Sequence, residues 1–179
     1  KEEILGTLTE EIESHVDRAS KIISHMREFG RKSEVSKERV QVNETLDRAH
    51  EIFSQQLKLR EIEVVKDYEE DLPFILADSN RLEQVFINLL INARDAIEEK
   101  MNDMGHENGD KKIFLKTSSM GKMIKIEVRD TGKGIPKPIL DKIFEPFFTT
   151  KNVGKGTGLG LSISYGIVQD YDGTIKVET

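Results

Sequence analysis

The chain has 179 residues, with 27 Lys+Arg against 33 Asp+Glu and a formal net charge of −6. That balance argues against a nucleic-acid binder working by broad phosphate neutralisation, and 36% hydrophobic residues are enough for a core rather than a disordered tail. Zero cysteines exclude a disulfide scaffold, a thiolate metal site and a cysteine nucleophile.

No apolar run approaches a membrane span and no signal peptide opens the chain, so a cytoplasmic location is expected. A chain that begins at Lys1 reads as an excised piece, and a larger parent could carry a membrane anchor. Residues 1–32 read as one long helix. Leu5, Leu8, Ile12, His15, Ala19, Ile22, Met26 and Phe29 recur at alternating steps of three and four, which is a heptad seam. Acidic residues fill its first part and basic residues its last, in the sense that complements the helix dipole. Such a stripe needs a partner, so self-association through residues 1–32 is expected; the plainer alternative is a helix lying on its own globular domain.

The polar stretch Gly30 to Val40 marks the boundary, with a second domain over residues 33–179. Asn43 can cap a helix to about Arg60, with Leu46, Ala49, Ile52, Phe53 and Leu57 along one face. Glu63 to Tyr68 reads as a strand, and Leu72-Pro73 as a turn. Asp78 or Ser79 caps a further helix to about Lys100. Lys112–Ser118 and Met123–Arg129 form a hairpin around Ser119-Met120-Gly121, and the second strand alternates Ile124, Ile126, Val128 against Lys125, Glu127, Arg129. Gly158 to Tyr171 reads as helix and Ile175–Glu178 as a last strand. Strands mixed with helices suggest an α+β fold, a sheet with helices on one face.

On the helix from residue 79, Asn88, Asn92 and Asp95 fall within about 60° of one another on the wheel. They are flanked by Val85, Leu89, Ala93 and Ala96 on one side and Ile87 and Ile91 on the other, not by the charged group Glu83, Arg94 and Glu98. Burying two amides and a carboxylate without partners costs several kcal/mol, so they satisfy one another or face a ligand. Such oxygens suit a hard cation, Mg2+ with bound phosphates.

Three further segments weigh toward a ligand. Asp130-Thr131-Gly132-Lys133-Gly134-Ile135-Pro136 follows a strand; a carboxylate there can accept from an exocyclic amine, and the glycines let a flat ring approach the backbone. Gly154-Lys155-Gly156-Thr157-Gly158-Leu159-Gly160-Leu161 runs into a helix, where free N–H groups and Lys155 form an anion cradle. Its spacing fits neither a P-loop nor a Rossmann fingerprint. Between these lies Phe144-Glu145-Pro146-Phe147-Phe148-Thr149-Thr150-Lys151, whose three Phe are core anchors or a docking patch.

Together, Asn88-Leu-Leu-Ile-Asn92-Ala-Arg-Asp95-Ala, Asp130-Thr-Gly-Lys-Gly134-Ile, Phe144-Glu-Pro-Phe-Phe-Thr-Thr-Lys151 and Gly156-Thr-Gly-Leu-Gly160-Leu resemble, in order, the N, G1, F and G2 boxes of the catalytic ATP-binding domain of two-component sensor histidine kinases. The resemblance covers roughly residues 40–179, and residues 1–32 look like the second helix of the dimerisation hairpin in the nitrogen-regulation type. It implies a two-layer α/β sandwich with a mixed sheet, binding ATP and Mg2+. Asn92 matches the Mg2+ position, with Asn88 one turn earlier. Asp130 matches the residue that bonds the adenine amine, while Gly132, Gly134 and Ile135 match the adenine pocket. Residues 136–157 match the lid, and Lys151, Lys155, Gly156, Thr157, Gly158, Leu159, Gly160 and Leu161 the phosphate side.

The departures carry meaning. Many family members have Lys where this chain has Asp95, so a contact to phosphate there would run through metal or water. In related ATPases a glutamate activates water at the place of Asn88; an amide is no base, so hydrolysis is expected to be poor and transfer to a protein histidine favoured. No acceptor motif is found: Val16 follows His15, Met26 follows His25, His50-Glu51 lacks the following proline, and His106 lies in a loop. The expected acceptor is therefore a histidine-bearing helix of the parent kinase, with a response regulator downstream, and this piece would not phosphorylate itself. The resemblance also implies a further strand after Thr179. The rivals are an ATPase or serine-directed kinase on the same fold, and a nucleotide-binding domain without activity.

Overall fold

The computed structural model describes residues 37–104, 109–151 and 156–179. The expected helix over residues 1–32, and Lys155 and His106 with it, lie outside these.

Strand β1 (Glu38–Val40) leads through Gln41 into helix α1 (Val42–Leu59). Val42, Leu46, Ala49, Phe53 and Leu57 recur every third or fourth residue and are all buried, so one stripe of α1 faces the core. Strand β2 (Glu63–Tyr68) follows, then β3 (Ile75–Ala77) and the long helix α2 (Ser79–Met104). Asp78 caps α2, its Oδ1 accepting the N–H groups of Asn80 at 2.9 Å and Arg81 at 3.2 Å. Leu82, Val85, Phe86, Leu90, Ala93 and Ile97 give α2 its buried stripe. The hairpin β4 (Lys112–Met120) and β5 (Met123–Asp130) turns at Gly121, and helix α3 (Gly160–Gln169) comes last.

β2, β4 and β5 form one sheet in that order, β2 parallel and β5 antiparallel to β4. Leu115 stands opposite Val128, and Thr117 opposite Ile126; these face the helices with Val64 and Ile113. On the outer face the Arg129 guanidinium lies 4.4 Å from the Phe114 ring centre, and Lys116 pairs with Asp67 at 2.5 Å. The result is the expected sandwich: a mixed sheet in one layer, helices in the other, and, among the described residues, one apolar cluster between them.

Four local expectations change. Helix α1 starts before Asn43, whose side chain instead ties sheet to helix: Nδ2 donates to the Glu69 carbonyl at 2.9 Å, and Oδ1 accepts from the buried Thr117 hydroxyl at 2.8 Å. Helix α2 runs on past Lys100 to Met104. A second sheet pairs β1 with β3, Val40 against Ile75 and Glu38 against Ala77, where the sequence reading has only a polar break and a turn. Ile175–Glu178 forms no ladder. That segment runs instead to the Gly134–Ile135 loop, where the Ile135 N–H donates to the Thr179 hydroxyl at 2.7 Å.

Candidate functional site on one face of helix α2

Positions 88, 92 and 96 of α2 are one turn apart and lie on one face, about 12 Å from end to end. Each receives a different distant segment.

At the first, the Asn88 amide donates to the Gly160 carbonyl at 3.1 Å and to the Ser164 hydroxyl at 3.2 Å. This joins α2 to the start of α3. Gly160 lies against the Asn88 side chain at ordinary packing distance: an added Cβ would lie 3.6 Å from the Asn88 Cγ. Leu159 is buried, and Thr157, Gly158, Gly160 and Leu161 are half-buried, so the glycine segment packs against the site instead of hanging free. The Thr157 hydroxyl accepts from the Leu159 N–H at 3.4 Å.

At the second, the Lys151 ammonium lies 2.5 Å from Asp95 Oδ2 and 3.4 Å from Asn92 Oδ1. The other Asp95 oxygen accepts from Arg94 Nη2 at 2.6 Å and Nε at 2.8 Å. The backbone before Lys151 is held by its own N–H, which donates to the Thr149 hydroxyl at 3.2 Å.

At the third, the Ala96 carbonyl accepts from the Lys133 N–H at 3.3 Å. Gly132 touches the helix itself: a Cβ there would sit 2.6 Å from the Ala96 backbone carbon and from its methyl group. Only glycine allows this approach. Asp130 Oδ1 accepts the Gly132 N–H at 2.8 Å. Burial pushes the Asp130 carboxyl above the ordinary range, opposed by that N–H and by the Lys100 ammonium. Thr131 next to it is clamped on every side. Its N–H donates to the Lys112 carbonyl at 3.1 Å, its hydroxyl accepts from the Lys112 N–H at 2.9 Å, and its carbonyl accepts from Lys100 Nζ at 2.7 Å.

The aromatic segment bridges these parts. Phe144 packs on Tyr165 of α3 with ring centres 5.2 Å apart, and Phe148 is half-buried, while Phe147 is 63% exposed. The Phe-rich segment therefore has one member on α3 and one turned to solvent.

Lys100, Ser164 and Ala96 were not legible as site residues. Lys100 reads as a surface cation, Ser164 as a helix-interior hydroxyl, and Ala96 as packing. Ala96 carries a usable signal, a small residue one turn after Asn92 where a glycine loop must approach. Asn92 and Asp95 are suited to a hard cation, since their oxygens already converge on an ammonium. Among the described residues no cluster of three His, Cys, Asp or Glu is placed to hold a metal, so Mg2+ at Asn92 would need phosphate oxygens to complete its shell.

Residues 77–179 match the family described as histidine kinase-, DNA gyrase B-, and HSP90-like ATPase. The chain belongs to this family. Among curated relatives it is 37% identical over 173 residues to sensor kinase CckA of Brucella abortus, covering 94% of this chain and 18% of that protein. It is 35% identical over 170 residues to sensor histidine kinase ZraS of Escherichia coli, covering 95% of this chain and 34% of that protein. The chain thus spans about a third or less of the length of these relatives. The catalytic domain of histidine kinase ThkA superposes with a TM-score of 0.62 at 31% identity, covering 78% of this chain and 82% of that one. The domain is of the histidine kinase catalytic type, with the family's α+β sandwich. No described helix is long and apolar enough to cross a membrane.

Proposed function

We propose that this domain binds Mg-ATP along the Asn88–Asn92–Ala96 face of α2 and transfers its γ-phosphoryl group to a histidine on a separate helix of the parent kinase. One observation carries this reading: the three other sequence boxes each meet α2 at successive turns of one face, Gly160 at Asn88, Lys151 at Asn92 and Asp95, and Gly132 at Ala96. That order sets a purine end and a phosphate end. Asp130, its carboxylate oriented by the Gly132 N–H, selects the exocyclic amine of adenine. Gly134 and Ile135 border the ring. Asn92 offers its amide oxygen to the metal, and Asp95, Lys151, Lys155 and the segment Gly156–Leu161 line the phosphates. Bound Mg2+ would neutralise the β- and γ-oxygens as charge shifts during transfer. Asn88 orients the start of α3, and as an amide it draws no proton from water, which favours a protein nucleophile over hydrolysis.

Solved relatives support a reading of the wider assembly. A structure of histidine kinase ThkA in complex with response regulator protein TrrA aligns with a TM-score of 0.68 at 27% identity, covering 90% of this chain and 43% of that one. ShkA in complex with AMPPNP aligns with the same TM-score at 27% identity, covering 86% of this chain and 32% of that one. A response regulator is accordingly the proposed final acceptor here, and pairing through residues 1–32 the proposed dimer contact, of the nitrogen-regulation type.

Calorimetric titration with ATP and Mg2+ tests the site. Asn92→Ala and Asp130→Ala should each weaken binding by roughly tenfold or more, as expected for losing a hydrogen bond to a charged group. Unchanged affinity in both variants overturns the assignment. Labelled ATP plus a histidine-bearing helix in trans should give an acid-labile phosphoprotein; acid-stable product or phosphate release alone overturns histidine transfer.

A further inference from the structure

We infer that Asp95 is a positioning residue: it holds the Lys151 ammonium beside Asn92, so that the cation serving the terminal phosphate comes from the segment after Phe148 and not from helix α2. The inference rests on the reading of this face as an ATP site.

The geometry supports placement, not a surface ion pair. Both side chains are mostly covered, 21% exposed for Lys151 and 17% for Asp95. Asp95 is itself fixed: Arg94 takes its Oδ1 through two nitrogens, and the Gln56 Oε1 accepts from Arg94 Nη1 at 2.9 Å. The carboxylate therefore has one oxygen left, and that oxygen meets Lys151. An ammonium has three N–H donors. Asp95 and Asn92 engage two, which leaves one for an oxygen arriving at Asn92.

The charges point the same way. Arg94, Asp95 and Lys151 form a trio with one surplus positive charge, placed against the amide oxygen proposed to meet the metal. An acidic side chain alone at this spot would repel a triphosphate; the same side chain capped by Lys151 presents a cation to it. The chain around Lys151 is shaped for the reach. A Cβ on Gly156 would lie 3.2 Å from the Lys151 Cδ and 2.8 Å from the Thr149 hydroxyl, so glycine there leaves the lysine stem its path.

The test is a set of variants titrated with ATP and with ADP in Mg2+ at one ionic strength. Lys151→Met should weaken ATP about tenfold and ADP far less, because the cation serves the terminal phosphate. Asp95→Asn should weaken ATP by a smaller factor, and Asp95→Asn combined with Lys151→Met should lose no more than Lys151→Met alone. Asp95→Lys combined with Lys151→Met should recover most of the ATP affinity, since position 95 lies within hydrogen-bond reach of the ammonium it replaces. Lys151→Arg should keep the preference for ATP over ADP. Additive losses in the double variant, or equal losses for ATP and ADP, overturn the inference. If the Asp95→Lys variant unfolds by circular dichroism, the Asp95→Asn cycle decides alone. Wild type that binds ATP and is weakened by Asp130→Ala keeps the nucleotide site standing whichever way the cycle falls.

Discussion

The Phe147 N–H donates to the Gly158 carbonyl at 2.9 Å, and both residues hold left-handed backbone, φ +68° at Phe147 and +67° at Gly158. Two segments that share no motif are therefore locked as one unit between α2 and α3. A non-glycine residue at φ > 0 costs energy that the surroundings must offset, and Phe147 bears it without burying its ring.

Gly158→Ala breaks this unit. The added Cβ would lie 2.4 Å from the Phe147 carbonyl carbon, in a backbone region that already disfavours a side chain. Neither Phe147 nor Gly158 is itself a member of the apolar cluster between the helices and the sheet. ATP affinity should fall by about tenfold or more while the unfolding midpoint drops by only a few degrees, an effect of roughly 1–2 kcal/mol. Calorimetry and thermal circular dichroism read the two. Wild-type affinity in this variant would show that the lock between the segments plays no part in binding.

Asp130 gives nucleotide binding an acid limit. Burial, the largest influence, raises its pKa above the ordinary aspartate value, so its carboxylate takes up a proton earlier than an exposed one as pH falls. The ionised form is the stronger acceptor for the adenine amine. The affinity ratio of wild type to Asp130→Asn should therefore decline on acidification, starting above the usual aspartate range. The same shift acts on stability with the opposite sign. Because the folded state holds the proton more tightly, Asp130 costs stability when ionised, and that cost is relieved as pH falls through the raised pKa. A ratio that stays flat down to the ordinary value removes Asp130 from adenine recognition.

His50 sits half-buried on α1. Burial first, then the Lys66 ammonium, lower its pKa below 6.5, while Asp47 and Glu51 oppose them. Below about pH 6.5 the unfolded chain takes up a proton that the folded chain resists. His50 thus contributes stability that is intact above that pH and is lost as pH falls through the folded value. Urea unfolding should show wild type losing more stability than His50→Gln between pH 7.5 and 5.5. Parallel curves would contradict this. The same burial fits poorly with His50 as a phosphoryl acceptor, which must reach a γ-phosphate as an exposed nucleophile.

The period of apolar residues was enough to find α1, α2 and the β4–β5 hairpin, because each is long enough to repeat. Val42 to Leu57 shows several helical turns, and Ile124 to Val128 alternates cleanly. β1 and β3 have three residues each, too few for a pattern, and they pair across the whole of α1 and β2. Asn43 reads as a cap because the sequence offers no sign of its true partners, Glu69 and Thr117, which only the docking of α1 on the sheet supplies. Ile175–Glu178 has strand-forming residues but no ladder, since a strand is a property of a pair.

The amino-acid order alone determined that Asn88, Asn92 and Asp95 share a face, because helix geometry is local and the same for every sequence. It also determined the glycines at 132, 156 and 158, where the backbone passes close to a neighbour. What that neighbour is, only the tertiary structure decided. It brings Gly132 to Ala96, Gly158 to Phe147 and Lys151 to Asp95, contacts between residues that are not neighbours in the chain. No local rule places Lys151 at Asp95; its segment is fixed by distant ties, Phe144 on Tyr165 of α3 and the Phe147 N–H on the Gly158 carbonyl.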